Sequence, residues 1–371
     1  MSKNYTSLGL MSGTSGDGVD ASIINSDGVN TFETIKNKYY EYDSNIYKDF
    51  HFLKERIFNL YDLKRLSKEV NELERKITLF HAKIIKELLI NNDKTLVGFH
   101  GQTIYHNAME KISRQLGDGK LLYQLTKKRI IYNFRENDIL NGGEGAPLTP
   151  IFHQLIATKK KIKLPICFLN IGGISNITIV KNKRGYDELF SKDIGPGNCL
   201  IDTWVRKNSD KKFDRDGHLA SIGKKNEIIF EQAQELYYNR NKEKKSFDTN
   251  DFDISFSRGL SLEDGTTTLT EFTGSIIGET LSLLAKDDKI FEDIIICGGG
   301  RKNNTLIKTI KKNLFQKFKI SMIDNLGIDG DFVESQAFGF LAIRSYKKLP
   351  ITFPSTTNCK KPCSGGKIVE N

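Results

Sequence analysis

The chain has 371 residues, enough to bury two cores of ordinary size, and is 38% hydrophobic and 27% charged. Its apolar runs are short and interrupted, so none reaches the roughly 20 residues that a membrane span needs. The formal charge of +10 raises the question of a nucleic-acid partner. Lysine is spread along the chain, however, and the clusters at 159–163 and 242–245 have no aromatic interleaving to stack bases. A solvated surface is the better account, with no nucleic acid and no membrane as partner. Met1-Ser2-Lys3-Asn4 runs directly into the first strand and leaves no room for a secretory signal, so a cytoplasmic chain is expected. Its five cysteines (Cys167, Cys199, Cys297, Cys359, Cys363) are then reduced and structural. Cys359-Lys-Lys-Pro-Cys363 invites a zinc reading, but no second Cys/His pair follows it.

Two apolar, strand-like segments, 5–11 and 19–25, flank Ser12, Gly13, Thr14, Ser15, Gly16, Asp17, Gly18, Val19 and Asp20. A strand, a tight turn of small residues and a second strand present backbone N–H groups and hydroxyls to phosphate, and glycine lets the main chain approach the anion. Residues 32–42 read as a third strand. Apolar residues then recur at Leu63, Leu66, Val70, Leu73, Ile77, Phe80, Ile84 and Leu88, steps of three and four that predict one long amphipathic helix lying on a sheet. A strand at 95–99, a hairpin around Gly117-Asp118-Gly119 and a strand at 129–133 follow. The charged stretch 159–163, closed by Pro165, is expected to end the first lobe.

The second half repeats the opening. Strand 166–170 runs into a turn at Gly172 and Gly173, then strands 176–180 and 187–190. Helices are expected at 226–238 and 268–285, a mobile polar loop at 238–256, a buried strand at 293–297, and helices at 305–318 and 333–347. Pro350, Pro354 and Pro362 are expected to keep the tail irregular. Strands alternating with helices make this an α/β chain, and two strand–glycine turn–strand units suggest two related lobes facing each other across a nucleotide. The expected division is 1–160, 161–345 and a tail, 346–371, packing back on the lobes.

Polar residues follow several strands, where ligands of open α/β sheets gather. His100, Gln102 and Thr103 around Gly101 suit a polyhydroxylated ligand such as a sugar, or else cap a turn. Arg135 offers a fixed fork of donors to a carboxylate or hydroxyl pair, with a surface salt bridge to Glu136 or Asp138 as the plain alternative. Asp193 leads into Ile194, Gly195, Pro196 and Gly197, a rigid turn from which a carboxylate could deprotonate a hydroxyl or water in line with a phosphoryl group. A turn-forming role is equally open to it. Gly298, Gly299 and Gly300 would let a flat ring lie against backbone, with Asn303 and Asn304 in reach. Glu334 opens the last long helix, where the helix dipole favours a carboxylate.

Taken together, these segments resemble the anhydro-N-acetylmuramic acid kinase family. The matching residues are Gly9-Leu10-Met11-Ser12-Gly13-Thr14-Ser15, Asp17-Gly18-Val19-Asp20, the tetrad 100–103, Arg135 with Asp138, and residues 142–147. They continue with 169–178, 193–198, Asp214-Arg215-Asp216-Gly217, Thr268-Leu269-Thr270-Glu271, 297–300, and Glu334 with Ala337-Phe338. The resemblance implies the two-lobed fold of actin, Hsp70 and sugar kinases, a ribonuclease H-like fold with an interlobe cleft. It also implies ATP and Mg²⁺ as cofactors, a homodimer, and conversion of 1,6-anhydro-N-acetylmuramic acid to N-acetylmuramic acid 6-phosphate in peptidoglycan recycling. Asp193 then matches the base that activates water, residues 13–20 the first phosphate loop, and Gly172 and Gly173 the second. Residues 297–300 match the nucleotide-side turn, and Arg135 and Glu334 match sugar-side positions. The Mg²⁺ ligands are not assigned. Gly16 replaces a larger residue and should loosen its turn, Asn133 stands where Asp is common, and Lys245-Ser246-Phe247-Asp248 keeps part of a longer motif. Competing readings are a kinase of another anhydro-sugar such as levoglucosan, and a nucleotide-gated interaction protein like actin or Hsp70.

Overall fold

The computed structural model describes residues 3–89, 94–183, 185–186, 188–241, 246–288 and 291–370. The strands among them are β1 (Tyr5–Ser12), β2 (Gly18–Ser26), β3 (Phe32–Glu41), β4 (Leu96–Asn107), β5 (Ile112–Leu116), β6 (Arg129–Tyr132), β7 (Ile166–Ile171), β8 (Ile174–Val180), β9 (Leu189–Pro196), β10 (Asp293–Cys297), β11 (Lys319–Met322) and β12 (Lys367–Val369). The helices among them include α1 (Ser67–Leu88), α2 (Pro150–Lys159), α3 (Cys199–Asn208), α4 (Leu262–Asp288), α5 (Asn304–Lys312) and α6 (Val333–Tyr346).

The chain divides into two units, one of residues 1–162, 182–191 and 331–371, the other of residues 163–181 and 192–330. The sheet of the first runs β12-β6-β4-β1-β2-β3, with β5 beside β4. β1 and β2 are antiparallel, as are β2 and β3, whereas β4 lies parallel to β1 and β6 parallel to β4. The second sheet runs β11-β10-β7-β8-β9. There β7 and β8 are antiparallel, and β10 is parallel to both β7 and β11. An antiparallel hairpin extended by parallel strands at its first member is thus built twice. This is the α/β class read from the alternation of strands and helices, in the ribonuclease H-like arrangement that the family resemblance implied.

In the first unit, β1 and β4 read as continuous apolar runs because both faces are covered. Leu8, Leu10, Val97 and Phe99 join Ile77, Ile84 and Ile85 of α1 in one core. On α6, every residue from Val333 to Ser345 except Glu334 is buried. That helix touches the sheet through backbone. A Cβ on Gly9 would stand 1.9 Å from Ser335 O, and one on Gly98 would stand 2.3 Å from Phe338 O. In the second unit α4 and α5 approach in the same way, a Cβ on Gly274 falling 2.5 Å from the Thr309 methyl group.

Several expectations change. The division at 161–345 does not hold, because α6 belongs with the first unit, as does the tail. The tail is also more regular than its prolines suggested. Pro354 opens a short helix, Pro354–Thr357, as proline at a first helical position can, and β12 pairs with β6. The long helix is two, Leu60–Arg65 and α1, interrupted at Leu66. Gly117-Asp118-Gly119 is no hairpin: Asp118 caps the helix Gly119–Thr126 by accepting from Lys120 N and Leu121 N. The hairpin turn lies earlier, where Lys111 N bonds Ala108 O between β4 and β5. The helix expected at 226–238 runs Glu227–Asn241, and the helix expected at 305–318 stops at Lys312. Within 238–256, the stretch 242–245 lies outside the described residues, and short 3-10 turns at Thr249–Asp251 and Ser255–Ser257 follow.

Because Gly9 meets main chain and not a yielding side chain, Gly9→Ala should cost about 3 kcal/mol or prevent folding. Urea denaturation measures this, and a loss well under about 1 kcal/mol would show that α6 can retreat from the sheet.

Candidate functional site

The turn between β1 and β2 closes by Gly16 N donating to Gly13 O (3.1 Å), and Gln102 Nε2 donates to the same carbonyl (2.7 Å). Gly13, Thr14 and Ser15 are half-buried, and a Cβ on Gly13 would meet nothing nearer than Ser15 Oγ at 3.8 Å. This is open, small-residue backbone of the kind an anion can approach. Gly16 does something other than loosen the turn. At φ +66° it leaves the place into which Phe50 packs, and a Cβ there would stand 2.2 Å from that ring. Gly18 and Val19 lie in β2, and Val19 is wholly buried core, so its side chain has no part in binding. Asp17 and Asp20 are half-buried.

β4 does not end before the tetrad; it runs through it. Gly101 takes φ +77°, and the pairing register with β1 shifts between Leu10 and Ser12, so the strand bends there. The bend faces His100 inward, 4.5 Å from the Phe338 ring centroid. Its Nδ1 lies 2.7 Å from Gly101 O and its Nε2 lies 2.9 Å from Arg135 Nη2. Guanidinium only donates, so Nε2 is the acceptor and Nδ1 carries the proton to Gly101 O. Burial, then the Arg135 charge, holds the imidazole well below its usual pKa of 6.5, so His100 is neutral. Arg135 Nη1 donates to Gly145 O (2.7 Å), and Gly145 N donates to Asp138 Oδ2 (2.7 Å). Arg135 thus reaches both His100 and Gly145, while Glu136, one of the two carboxylates considered for a salt bridge, pairs with Lys367. Thr103 accepts from Gln115 Nε2 at 3.2 Å. Gln102 Oε1 is buried and has no hydrogen-bond partner among the described residues, which leaves an acceptor beside the first turn. Glu334, the one residue of that stretch of α6 not buried, stands one turn before Phe338 on the same helix face as the ring against His100. One helix therefore carries Glu334 and the ring against which His100, the partner of Arg135, packs.

In the second unit the Gly172-Gly173 turn sits on the N-terminus of α3. Gly173 O accepts from Gly197 N (2.9 Å) and Cys199 N (3.1 Å), and Gly172 O from Asn198 N (2.8 Å). A Cβ on Gly197 would fall 2.2 Å from Gly172 O, so only glycine allows this docking. With its N–H already used, Gly197 contributes space and not a donor. Gly195 has φ +146°, and a Cβ there would lie 2.8 Å from the Ile276 methyl. Asp193, in β9 just ahead, is 7% exposed, and its Oδ2 accepts from Phe247 N (2.9 Å). Phe247 belongs to the partial motif at 245–248, of which Lys245 lies outside the described residues.

The three glycines after β10 divide their roles. Gly298 has φ +81° and abuts Asn170 Oδ1, and Gly300 is buried against Ile171, whereas a Cβ on Gly299 would meet nothing within 4 Å. Only Gly299 offers an open face. Arg301, which the sequence reading passed over, fixes this turn. It donates to Gly298 O (3.1 Å) and grips both Asp324 oxygens, at 2.8 and 2.9 Å. Its signal was an arginine directly after a glycine run. Asn303, expected near a ring, instead caps α5 by accepting from Leu306 N (2.9 Å). Asp214 likewise caps the helix His218–Ile222 through Leu219 N and Ala220 N.

His81 and His153, also buried in the first unit, have pKa values pushed by burial to about 4 and about 3. The unfolded chain binds protons at these three histidines below about pH 6.5 while the folded chain refuses them, so stability falls as pH falls. The expected loss between pH 6.5 and 4 is on the order of 1 kcal/mol per pH unit for each of His81 and His153, with His100 adding in the same direction. A melting temperature flat between pH 7.5 and 5 would contradict it.

Among the described residues no helix is long and apolar enough to cross a membrane. A family model described as anhydro-N-acetylmuramic acid kinase matches residues 5–371. The chain is 54% identical to a protein of that name from Pelagibacter ubique (strain HTCC1062), and 33% identical to one from Agrobacterium fabrum (strain C58 / ATCC 33970). Both alignments cover 100% of each chain. Among solved structures, the activator of the 2-hydroxyisocaproyl-CoA dehydratase from Clostridium difficile with bound ADPNP aligns over 92% of this chain and 96% of its own, at 11% identity and a TM-score of 0.40. With a family model spanning nearly every residue and a full-length relative at 54% identity, the chain belongs to the anhydro-N-acetylmuramic acid kinase family, phosphotransferases with an alcohol group as acceptor.

Proposed function

We propose that this chain opens 1,6-anhydro-N-acetylmuramic acid with water and phosphorylates O6 from ATP, giving N-acetylmuramic acid 6-phosphate for peptidoglycan recycling. The observation that carries this reading is Asp193, a carboxylate held in the second unit by the Phe247 N–H ahead of a Gly-Pro-Gly turn, in a chain 54% identical to a named enzyme of this kind. Asp193 takes a proton from water, the water oxygen bonds C1, and the C1–O6 bond breaks. O6 attacks the γ-phosphorus, and ADP leaves.

The open Gly13 turn supports a phosphate role for residues 13–17, where backbone donors would meet charge spread over the transferring group. The Gly172-Gly173 turn takes the corresponding role in the second unit, and the open face of Gly299 suits the flat base of the nucleotide. Mg²⁺ supplies charge neutralisation when bound, and the half-buried carboxylates Asp17 and Asp20 fit its all-oxygen ligand preference. His100, Arg135 and Glu334 are the sugar-side groups. Neutral His100 keeps Arg135 oriented without competing for its anionic or hydroxyl partners. A cytoplasmic homodimer belongs to the same reading and is supported by family resemblance.

Asp193→Asn should lower turnover by at least about 10²-fold while ATP affinity stays within a few-fold, because shape is kept and the base is lost. A coupled kinase assay and nucleotide titration read the two quantities, and lost ATP binding would reassign Asp193 to a metal or phosphate role. Product made in ¹⁸O-water should carry the label at C1, and turnover of levoglucosan alone would overturn the sugar assignment. Gly299→Ala should raise KM for ATP and leave the melting temperature unchanged, since the added Cβ meets nothing within 4 Å. An unchanged KM would move the base elsewhere.

A further inference from the structure

We propose that Asp138, Cys359 and Cys363 form a binding site for a thiophilic divalent cation of the zinc class. The sequence offered only two cysteines with no second pair. The fold supplies the third group from far upstream: one ligand atom of each residue lies within 4.8 Å of the others, and all three residues are buried. Sulfur and oxygen ligands of tetrahedral zinc, at about 2.3 and 2.0 Å from the ion, stand roughly 3.5–3.8 Å apart, so small side-chain rotations close the site. Two sulfurs among three donors select zinc or cadmium over magnesium or calcium.

The ligands stand on fixed backbone. Cys363 N donates to Thr352 O (3.0 Å) while Cys363 O accepts from Ile351 N (2.7 Å), and Lys360 N, beside Cys359, donates to Asn141 O (3.0 Å). Thr357 donates to Asp138 Oδ1 (2.7 Å) but has a second acceptor in Phe353 O (3.4 Å), so the carboxylate oxygen can be released to a metal. On coordination both thiols lose their protons to solvent, including the one that Cys363 now shares with Lys361 O (3.0 Å). Water would take the fourth position. The ion would then tie the tail to the residue whose other oxygen holds Gly145 N.

The test uses the full-length reduced protein with Co²⁺ and Zn²⁺ alone, and needs no substrate, so it stands or falls apart from the kinase reading. One metal per chain should survive dialysis, Co²⁺ should show thiolate charge-transfer absorption, and Zn²⁺ should raise the melting temperature with its concentration. Cys359→Ser and Cys363→Ser should each weaken binding at least about tenfold, and the double variant should abolish it. The wild-type Co²⁺ spectrum decides the matter even if a variant fails to fold. Absence of retained metal, a spectrum without thiolate bands, or bands that persist in the double variant would overturn the site. So would a Cys359–Cys363 disulfide in protein from cells whose thiols were blocked at lysis.

Discussion

The first unit depends on one contact: α6 lies on β1 and β4 with main chain against main chain. Gly9 faces Ser335 and Gly339, and Gly98 faces Phe338, at distances that admit no side chain. Such closeness maximises dispersion between dense surfaces and leaves no freedom to slide. Register along the helix is thereby set, and with it the positions of Glu334 and of the Phe338 ring against His100.

The polar chemistry of that unit hangs from the same frame. The bend at Gly101 turns His100 toward α6, Arg135 bridges His100 to Gly145, and Asp138 anchors Gly145 in turn. No member of this chain is strong alone, but each buried donor removed would leave an acceptor without compensation. In the second unit, glycine serves the opposite purposes of closeness and openness within a few residues. Gly197 and Gly300 admit neighbouring groups, and Gly299 keeps a face clear.

The glycine turns, the α/β class and the repeated hairpin were legible because small residues between apolar runs have few other uses. α1 was legible from its steps of three and four, since one face is wet. α2 and α3 were not foreseen. α2 is buried from Pro150 to Ala157, so it carries no periodic contrast, and α3 directly continues a glycine turn. The same uniform burial hid the home of α6: a helix buried on nearly every side does not say which sheet it covers, and the evidence lay in Gly9 and Gly98, hundreds of residues upstream. His100 was placed past a strand end because a glycine normally signals a stop, whereas Gly101 only bends β4. Asn303 looked available for a ligand, yet caps claim the same residue type.

The order in which the first unit receives its parts has a consequence for biogenesis. Its sheet is begun by β1, but the helix that covers β1 and β4 is translated only after residue 332, and so emerges from the ribosome after the whole of 192–330. During elongation the uncovered face of those strands, with Gly9 and Gly98 bare, is apolar surface awaiting its cover, the kind of surface chaperones protect. The later-encoded unit can therefore finish folding before the one that starts the chain.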